Sequence, residues 1–216
     1  MTNGFIILFG LTMLYLSTTS RLKAHVNILT IQGFLLFLIC FGNFFHLPWY
    51  SVLFLIIETL VVKAILVPAF LNKVLKKIHL DRDTDANIAH FYCLLISSIV
   101  LFIGFMFGVM DIPSLSMINP LCFGVAMATI IISLWLITIK HKILSNVIEF
   151  IAMENGIFLL SLSVAKEMPM LVNIGVLLDV FIAIYILGLF VSQINKELGD
   201  TEVSHLSDLK DCEYND

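Results

Sequence analysis

Hydrophobic residues in this chain are grouped into seven long runs, separated by short polar or charged segments. A hydrocarbon core of about 30 Å is crossed by roughly 20 apolar residues in a helix, and every run except the short first one approaches that length. The pattern therefore predicts an all-α fold, a polytopic membrane bundle with seven transmembrane helices. The predicted spans are 5–19, 26–45, 49–71, 88–110, 117–139, 143–165 and 169–192.

The basic residues predict which way these spans cross the membrane. Of the 12 Lys and Arg residues, only Lys166 falls in a loop on the other side, and Lys63 lies within a span. Because cytoplasmic loops carry the excess of Lys and Arg, we expect an outside N-terminus and a cytoplasmic C-terminus. The residues on the predicted cytoplasmic side are Arg21, Lys23, Lys73, Lys76, Lys77, Arg82, Lys140, Lys142, Lys196 and Lys210.

The spans define the predicted domain organisation. Residues 1–192 form the membrane bundle, and residues 193–216 form an acidic cytoplasmic tail. Residues 5–71 and 117–192 have the same predicted orientation and are compatible with a parallel repeat, as found in some transporters. Gln32-Gly33 and Asn155-Gly156 occupy corresponding places in the two segments. A coincidental likeness between apolar helices is the alternative interpretation.

Composition supports a membrane protein and limits its chemistry. The chain is 60% hydrophobic with a mean hydropathy of +1.03, whereas soluble domains are about 45–50% apolar. The four cysteines are scattered, without a CxxC pair or metal-ligand spacing. Nucleotide-binding, hydrolase and metalloprotease motifs do not occur in the sequence. We therefore expect no catalytic residue, no metal site and no cofactor in this chain, and no nucleic-acid partner.

Two carboxylates in the sixth predicted span are the first candidates for function. Glu154 lies near the centre of that span, and Glu149 lies about 7.5 Å closer to the predicted cytoplasmic side. Charged residues at such depth are costly and usually face a bundle interior or a water-lined cavity. A proton relay is the functional interpretation. The alternative is an interhelical hydrogen bond that fixes packing, with Asn155 contributing.

The third and seventh spans supply the remaining candidates. Glu58 and Lys63 are predicted to form an ion pair that is either switched by a proton or static, with Thr59 close to Lys63. Pro68 is predicted to kink the end of this span and free backbone carbonyls. Asp179 is the lone charge of the seventh span, and Lys63 is a candidate partner for both Asp179 and Glu154.

Four motifs occur together in this chain: Arg21-Leu22 followed by Gln32, the segment from Lys63 to Pro68, Met153-Glu154-Asn155-Gly156, and the segment from Asn173 to Asp179. Together they resemble the hydrogenase-4 component E family across nearly the whole chain. The resemblance implies a small membrane subunit of an energy-conserving [NiFe] hydrogenase of the formate hydrogenlyase type. It also implies antiporter-like and complex I-like membrane partners and a peripheral hydrogenase arm, with the nickel-iron site and iron–sulfur clusters in those partners.

The last three spans also resemble the three-span K-type subunit of respiratory complex I. Alignment on Asn155 places that family's usual glutamate at Ile151, one turn from Glu154, and Asp179 lies earlier than its second glutamate. The sequence thus favours a non-catalytic subunit in a prokaryotic cell membrane that contributes to proton translocation. A purely structural subunit and a stand-alone small ion transporter are the alternatives.

Overall fold

The computed structural model describes residues 2–43, 56–78, 90–109, 119–140 and 142–164. Each secondary-structure element in these ranges is a helix, which confirms the predicted all-α class. The predicted seventh span, with Asp179, and the predicted acidic tail lie outside the described residues. The helices are α1 (Thr2–Thr18), α2 (Leu22–Asn43), the π-helix π1 (Ile57–Leu66), α3 (Val67–Ile78), α4 (His90–Val109), α5 (Pro120–Ile139) and α6 (Ile143–Val164).

Four of these helices have the length and apolar composition needed to cross a membrane. They are the segments Leu22–Gly42, Phe91–Gly108, Pro120–Ile139 and Leu144–Val164, and α1 is a shorter apolar helix. Among the described residues, the predicted bundle of apolar helices is confirmed in this form.

The bundle contains two antiparallel helical hairpins. In the first, Thr12 of α1 bonds Gln32 of α2, and Thr2 approaches Gly42. In the second, the Cys122 thiol of α5 donates to the carbonyl of Leu159 in α6. Because α2 and α6 run in the same direction, as the site contacts below require, the two hairpin turns lie at one end of the bundle. We call it the basic end, after Arg21, Lys23, Lys140 and Lys142 in or beside these turns.

Local sequence explains where the second hairpin begins and turns. The Asn119 side chain accepts a hydrogen bond from the Cys122 backbone N–H, and Pro120 occupies the first helical position of α5. Lys140 leaves the helix with extended backbone angles, φ −90° and ψ 136°. The chain therefore turns within a few residues and enters α6 at Ile143.

The helix that contains Lys63 departs from α-helical geometry. π1 has 10 residues, and the Val67 N–H that follows it donates to the Val62 carbonyl, five residues back. Pro68, in the first turn of α3, has no N–H to donate to carbonyls one turn earlier. A kink was predicted here. In the structure, the backbone hydrogen bonds of the preceding segment follow the π-helical pattern, five residues back, in place of the α-helical pattern, four residues back. Such π segments are often found at functional sites.

Small residues allow two helix pairs to approach closely. A Cβ atom on Gly33 of α2 would lie 2.8 Å from backbone atoms of Lys63 and Ala64. A Cβ atom on Gly104 of α4 would lie 2.6 Å from the Gly124 carbonyl oxygen of α5. Backbones approach this closely in membrane bundles where glycines face one another. Gly33 thus fixes the position of π1 against α2, next to Lys63.

The half of the bundle away from the basic end has an apolar core. This core is formed by α1, α2, α5 and α6. Its buried side chains are Ile6, Phe9, Leu35, Leu36, Ile39, Cys40, Cys122, Val125, Ala126, Phe158, Leu159 and Leu162. The buried ionisable groups of the described residues therefore lie toward the basic end or near the middle of the helices.

Candidate functional site

Three buried side chains meet at the basic end and form what we call the basic-end cluster. Lys140 Nζ lies 2.5 Å from Glu149 Oε1 and 2.9 Å from His25 Nε2. Exposed fractions are 8% for Lys140 and 0% for both His25 and Glu149. The cluster joins α2, the turn after α5, and the second turn of α6. A buried carboxylate is thereby balanced by a buried ammonium group, as a stable buried charge requires.

The hydrogen bonds of His25 define its tautomer. Its Nδ1 atom lies 2.9 Å from the Arg21 carbonyl oxygen, which only accepts hydrogen bonds. Nδ1 therefore carries the hydrogen, and Nε2 of the neutral ring accepts from the Lys140 ammonium group. His25 Nε2 also lies 3.8 Å from Glu149 Oε1. With a neutral His25, the positive and negative charges within the cluster are equal.

A second set of polar groups lies near the middle of the helices, and we call it the mid-layer: Thr12, Gln32 and Asn155. Gln32 Nε2 donates to Thr12 Oγ1 at 2.9 Å, and Asn155 Nδ2 donates to Gln32 Oε1 at 3.3 Å. Gln32 is the central residue of the apolar segment Leu22–Gly42, and Asn155 is one residue from the centre of Leu144–Val164. The mid-layer therefore joins α1, α2 and α6 at mid-depth.

Glu154 and Lys63 are buried beside the mid-layer. Their exposed fractions are 5% and 7%. Lys63 Nζ lies 4.7 Å from the ring centroid of Phe158 on α6, a cation–π contact. Residues four apart lie on one face of a helix, so Phe158 and Glu154 share a face of α6. The ammonium group of Lys63 consequently lies against the part of α6 that carries Glu154.

The structure distributes the predicted residues over two levels. Gln32, Asn155, Glu154 and Lys63 lie at or beside the mid-layer, whereas Glu149 lies in the basic-end cluster. The buried Thr59 hydroxyl contacts its own helix at the Ile56 carbonyl, 3.5 Å away. Glu58 is part of π1, but its side chain lies outside the described residues, as does Asp179.

Sequence reasoning missed His25 and Lys140. Both lie just outside the predicted spans 26–45 and 117–139, where basic residues usually meet water or lipid headgroups. The available signal was Glu149 itself, because a carboxylate two turns into an apolar helix requires a nearby partner. Lys140 is nine residues earlier, just across the turn of the same hairpin.

No metal-ligating group was found in the described part of the chain, taken as three or more His, Cys, Asp or Glu side chains close together. The buried cysteines Cys40, Cys93 and Cys122 of the described residues are thiols that form no disulfide. The features above define a class: a helical bundle of membrane-spanning dimensions with ionisable groups in its interior.

Comparison with known proteins gives one partial similarity. The chain is 27% identical over 86 residues to the uncharacterized protein Rv0085 of Mycobacterium tuberculosis. The similarity covers 40% of this chain and 39% of that protein, so the match spans well under half of either sequence. No protein-family model matches the chain, and no solved structure matches it.

Proposed function

We propose that this chain is an integral membrane subunit that contributes buried ionisable residues to proton translocation coupled to electron transfer. In this proposal it has seven spans, an outside N-terminus and a cytoplasmic C-terminus, and it resides in a prokaryotic cell membrane. The basic end then faces the cytoplasm, in keeping with the excess of Lys and Arg on that side. The proton-relay residues are Glu149, Glu154, Lys63, Glu58 and Asp179, with Asn155, Gln32, Thr59 and Pro68 in support.

The observation that carries this proposal is the succession of buried ionisable and amide groups between the basic end and the mid-layer. Glu149, Asn155 and Glu154 are all at most 5% exposed, and all three are on α6. Ionisable side chains inside membrane spans are expensive and indicate a functional site, and a proton relay is one of the roles that they serve. Glu149 and Glu154 are separated by about 7.5 Å of helix rise and about 140° around the helix, so in this proposal a proton passes between them over more than one water or polar group.

The apolar core gives the pathway a direction in this proposal. A proton that reaches the mid-layer from the basic end meets the buried aliphatic and aromatic side chains of α1, α2, α5 and α6. Glu154 and Lys63 are the buried ionisable groups beside the mid-layer in the described residues, and Lys63 lies on the neighbouring π1. We infer that the proton moves sideways toward π1, where Glu58 and Thr59 are also located.

The hydrogenase part of the proposal rests on the sequence motifs. Their resemblance to hydrogenase-4 component E supports a complex I-like membrane-bound [NiFe] hydrogenase, of the formate hydrogenlyase type, as the parent complex. The nickel-iron site and iron–sulfur clusters would belong to its peripheral arm, and antiporter-like subunits would be membrane neighbours of this chain.

An architectural role is the second candidate, and the interhelical bonds favour it. Gln32 with Asn155, and Lys140 with Glu149, each join separate elements of the bundle. In that case the charges fix helix packing and carry no protons.

A stand-alone ion transporter is the third candidate, and it predicts proton flux through vesicles that contain the purified chain alone.

The deciding experiment compares Glu154→Gln with Glu154→Asp in native membranes. We expect the Gln variant to lower proton pumping about tenfold or more, because an amide of the same size cannot exchange a proton. We expect the Asp variant to retain pumping. Hydrogen evolution and the nickel that co-purifies with the tagged chain report assembly, and both should be unchanged. Loss of assembly would favour the architectural role, and normal pumping would refute the relay.

A further inference from the structure

We propose that the basic-end cluster is the proton-loading site of this subunit, with His25 as proton acceptor, Glu149 as proton carrier and Lys140 as the gate between them. This inference deepens the proposed function and rests on it for the proton's onward path. It assigns roles to two residues, His25 and Lys140, that no sequence motif marked.

Lys140 is placed to act as a gate because one ammonium group donates to both other members of the cluster. Its distances are 2.5 Å to Glu149 Oε1 and 2.9 Å to His25 Nε2. While both bonds exist, the basic nitrogen of His25 is occupied and Glu149 is held as a carboxylate. Lys140 is also the first residue beyond α5, so its backbone belongs to a turn rather than to a helix interior.

Loading takes place by two balanced proton transfers. A proton from water at the basic end binds the His25 Nε2 lone pair, and the Lys140 bond to that atom breaks. The new imidazolium and the ammonium group repel each other, so Lys140 moves away. The Nε2–H then faces Glu149 Oε1, 3.8 Å away in the resting structure, and the proton passes to the carboxylate. His25 becomes neutral again, and Glu149 carries one added proton.

The surroundings suit a loading site that opens to one side. The Arg21 carbonyl holds Nδ1–H of His25, which leaves Nε2 as the ring nitrogen that changes protonation. Arg21 and Lys23 are exposed beside the cluster, and Lys142 follows Lys140 in the same turn. These positive charges favour a carboxylate over a neutral acid at Glu149 until Lys140 moves.

The first test measures the protonation state of Glu149 in the full-length chain in lipid nanodiscs by infrared spectroscopy. The band of a protonated carboxyl group that disappears in Glu149→Gln identifies Glu149. We expect no such band at neutral pH in the wild type, and a clear band in Lys140→Met, because a buried carboxylate without its counter-ion takes up a proton. Lys140→Arg, and the matched control Lys76→Met at an exposed lysine of α3, should resemble the wild type.

The second test measures the rate of loading and keeps the ion pair intact. After a rapid jump to acid pH, we expect the Glu149 band to appear at least tenfold more slowly in His25→Gln than in the wild type. Its final amplitude should be the same. A merely structural role for His25 would leave the rate unchanged, and that result would overturn the proposal. A wild-type spectrum for Lys140→Met would overturn it as well.

The outcomes of these experiments distinguish a failure of the loading site from a failure of the proposed function. Normal pumping by Glu154→Gln together with the expected infrared results would refute the relay through the mid-layer and support the loading site. Reduced pumping by Glu154→Gln together with an unchanged loading rate in His25→Gln would support the relay and overturn the loading site.

Discussion

At the scale of single residues, several buried polar groups in the described part of this protein are held by partners on other helices. Asn155 illustrates this, because its amide nitrogen donates to Gln32, and Gln32 donates in turn to Thr12. Interhelical hydrogen bonds in membrane proteins average about 0.6 kcal/mol and reach about 1.7 kcal/mol, because the unfolded chain in lipid also finds partners. Such bonds fix which faces meet more than they determine total stability.

The first prediction concerns the bond between Gln32 and Asn155. In a double-mutant cycle with Gln32→Ala and Asn155→Ala, we expect a coupling free energy of about 0.6 to 1.7 kcal/mol in reversible unfolding. Thr30→Ala provides the matched control, because the Thr30 hydroxyl bonds the Val26 carbonyl of its own helix. Its cycle with Asn155→Ala should give no coupling. Equal coupling in the two cycles would show that Gln32 and Asn155 do not interact directly.

The ion pair between Lys140 and Glu149 is a different case at the same scale. Removal of one partner from a buried pair leaves an uncompensated charge, which typically costs about 3–5 kcal/mol. Replacement of both partners by apolar residues is often neutral. The pair is therefore weak evidence for stability, and this is compatible with the proton-exchange role proposed above.

At the scale of helices, close approaches between backbones decide which side chains meet. Gly33 allows π1 to lie against α2, and the backbone of Lys63 is at that contact. The wider turns of π1 end at Leu66, and Val67 is the residue between π1 and Pro68. In a regular α-helix, the side chains before Pro68 would lie at different angles around the helix axis. The π-helix therefore contributes to the orientation that brings Lys63 over Phe158.

The second prediction concerns the crossing of α4 and α5. Gly124→Ala should lower the free energy of unfolding in detergent micelles by about 1–3 kcal/mol, because its methyl group meets the Gly104 backbone across a packed interface. Gly4→Ala is the matched control, since nothing lies within 4 Å of a Cβ atom there. Equal stability of the two variants would show that this crossing tolerates a wider spacing.

At the scale of the whole molecule, the bundle is divided by polarity. Ionisable groups of the described residues are buried between the basic end and mid-depth, and the far half has an apolar core. Among the described helices, α4 packs against α1 and α5, and its side chains Phe91, Tyr92 and Phe102 are more than half exposed. Such a face suits lipid tails or neighbouring membrane helices, and neither requires polar atoms on it.

The third prediction concerns orientation. In a cysteine-free background, a membrane-impermeant thiol reagent should label Asn3→Cys in intact cells. It should label Lys76→Cys only after the membrane is permeabilised, because Lys-rich segments stay on the cytoplasmic side. Both positions are exposed, and the predicted topology places them on opposite sides of the membrane. Labelling of Lys76→Cys alone in intact cells would reverse the proposed topology.

The sequence by itself determined the helical class, the presence of apolar helices long enough to cross a membrane and the presence of charged residues inside the helices. Apolar runs can satisfy their backbone hydrogen bonds in lipid only as helices or closed barrels, so a long apolar run predicts a membrane-spanning helix from sequence alone. The depth of Glu149, Glu154 and Gln32 follows from helical rise alone. The placement of Asp179 and Glu58 stays a prediction.

Only the tertiary structure decided which of these groups meet. Residues of parallel helices such as α2 and α6 are far apart in sequence, and periodicity within one helix does not define the register between two. The burial of His25 and Lys140 depends on how the two hairpins pack against each other at the basic end. The position of π1 depends on its close contact with Gly33 of α2. Contacts between helices, rather than the composition of any one helix, thus placed Lys140 between Glu149 and His25.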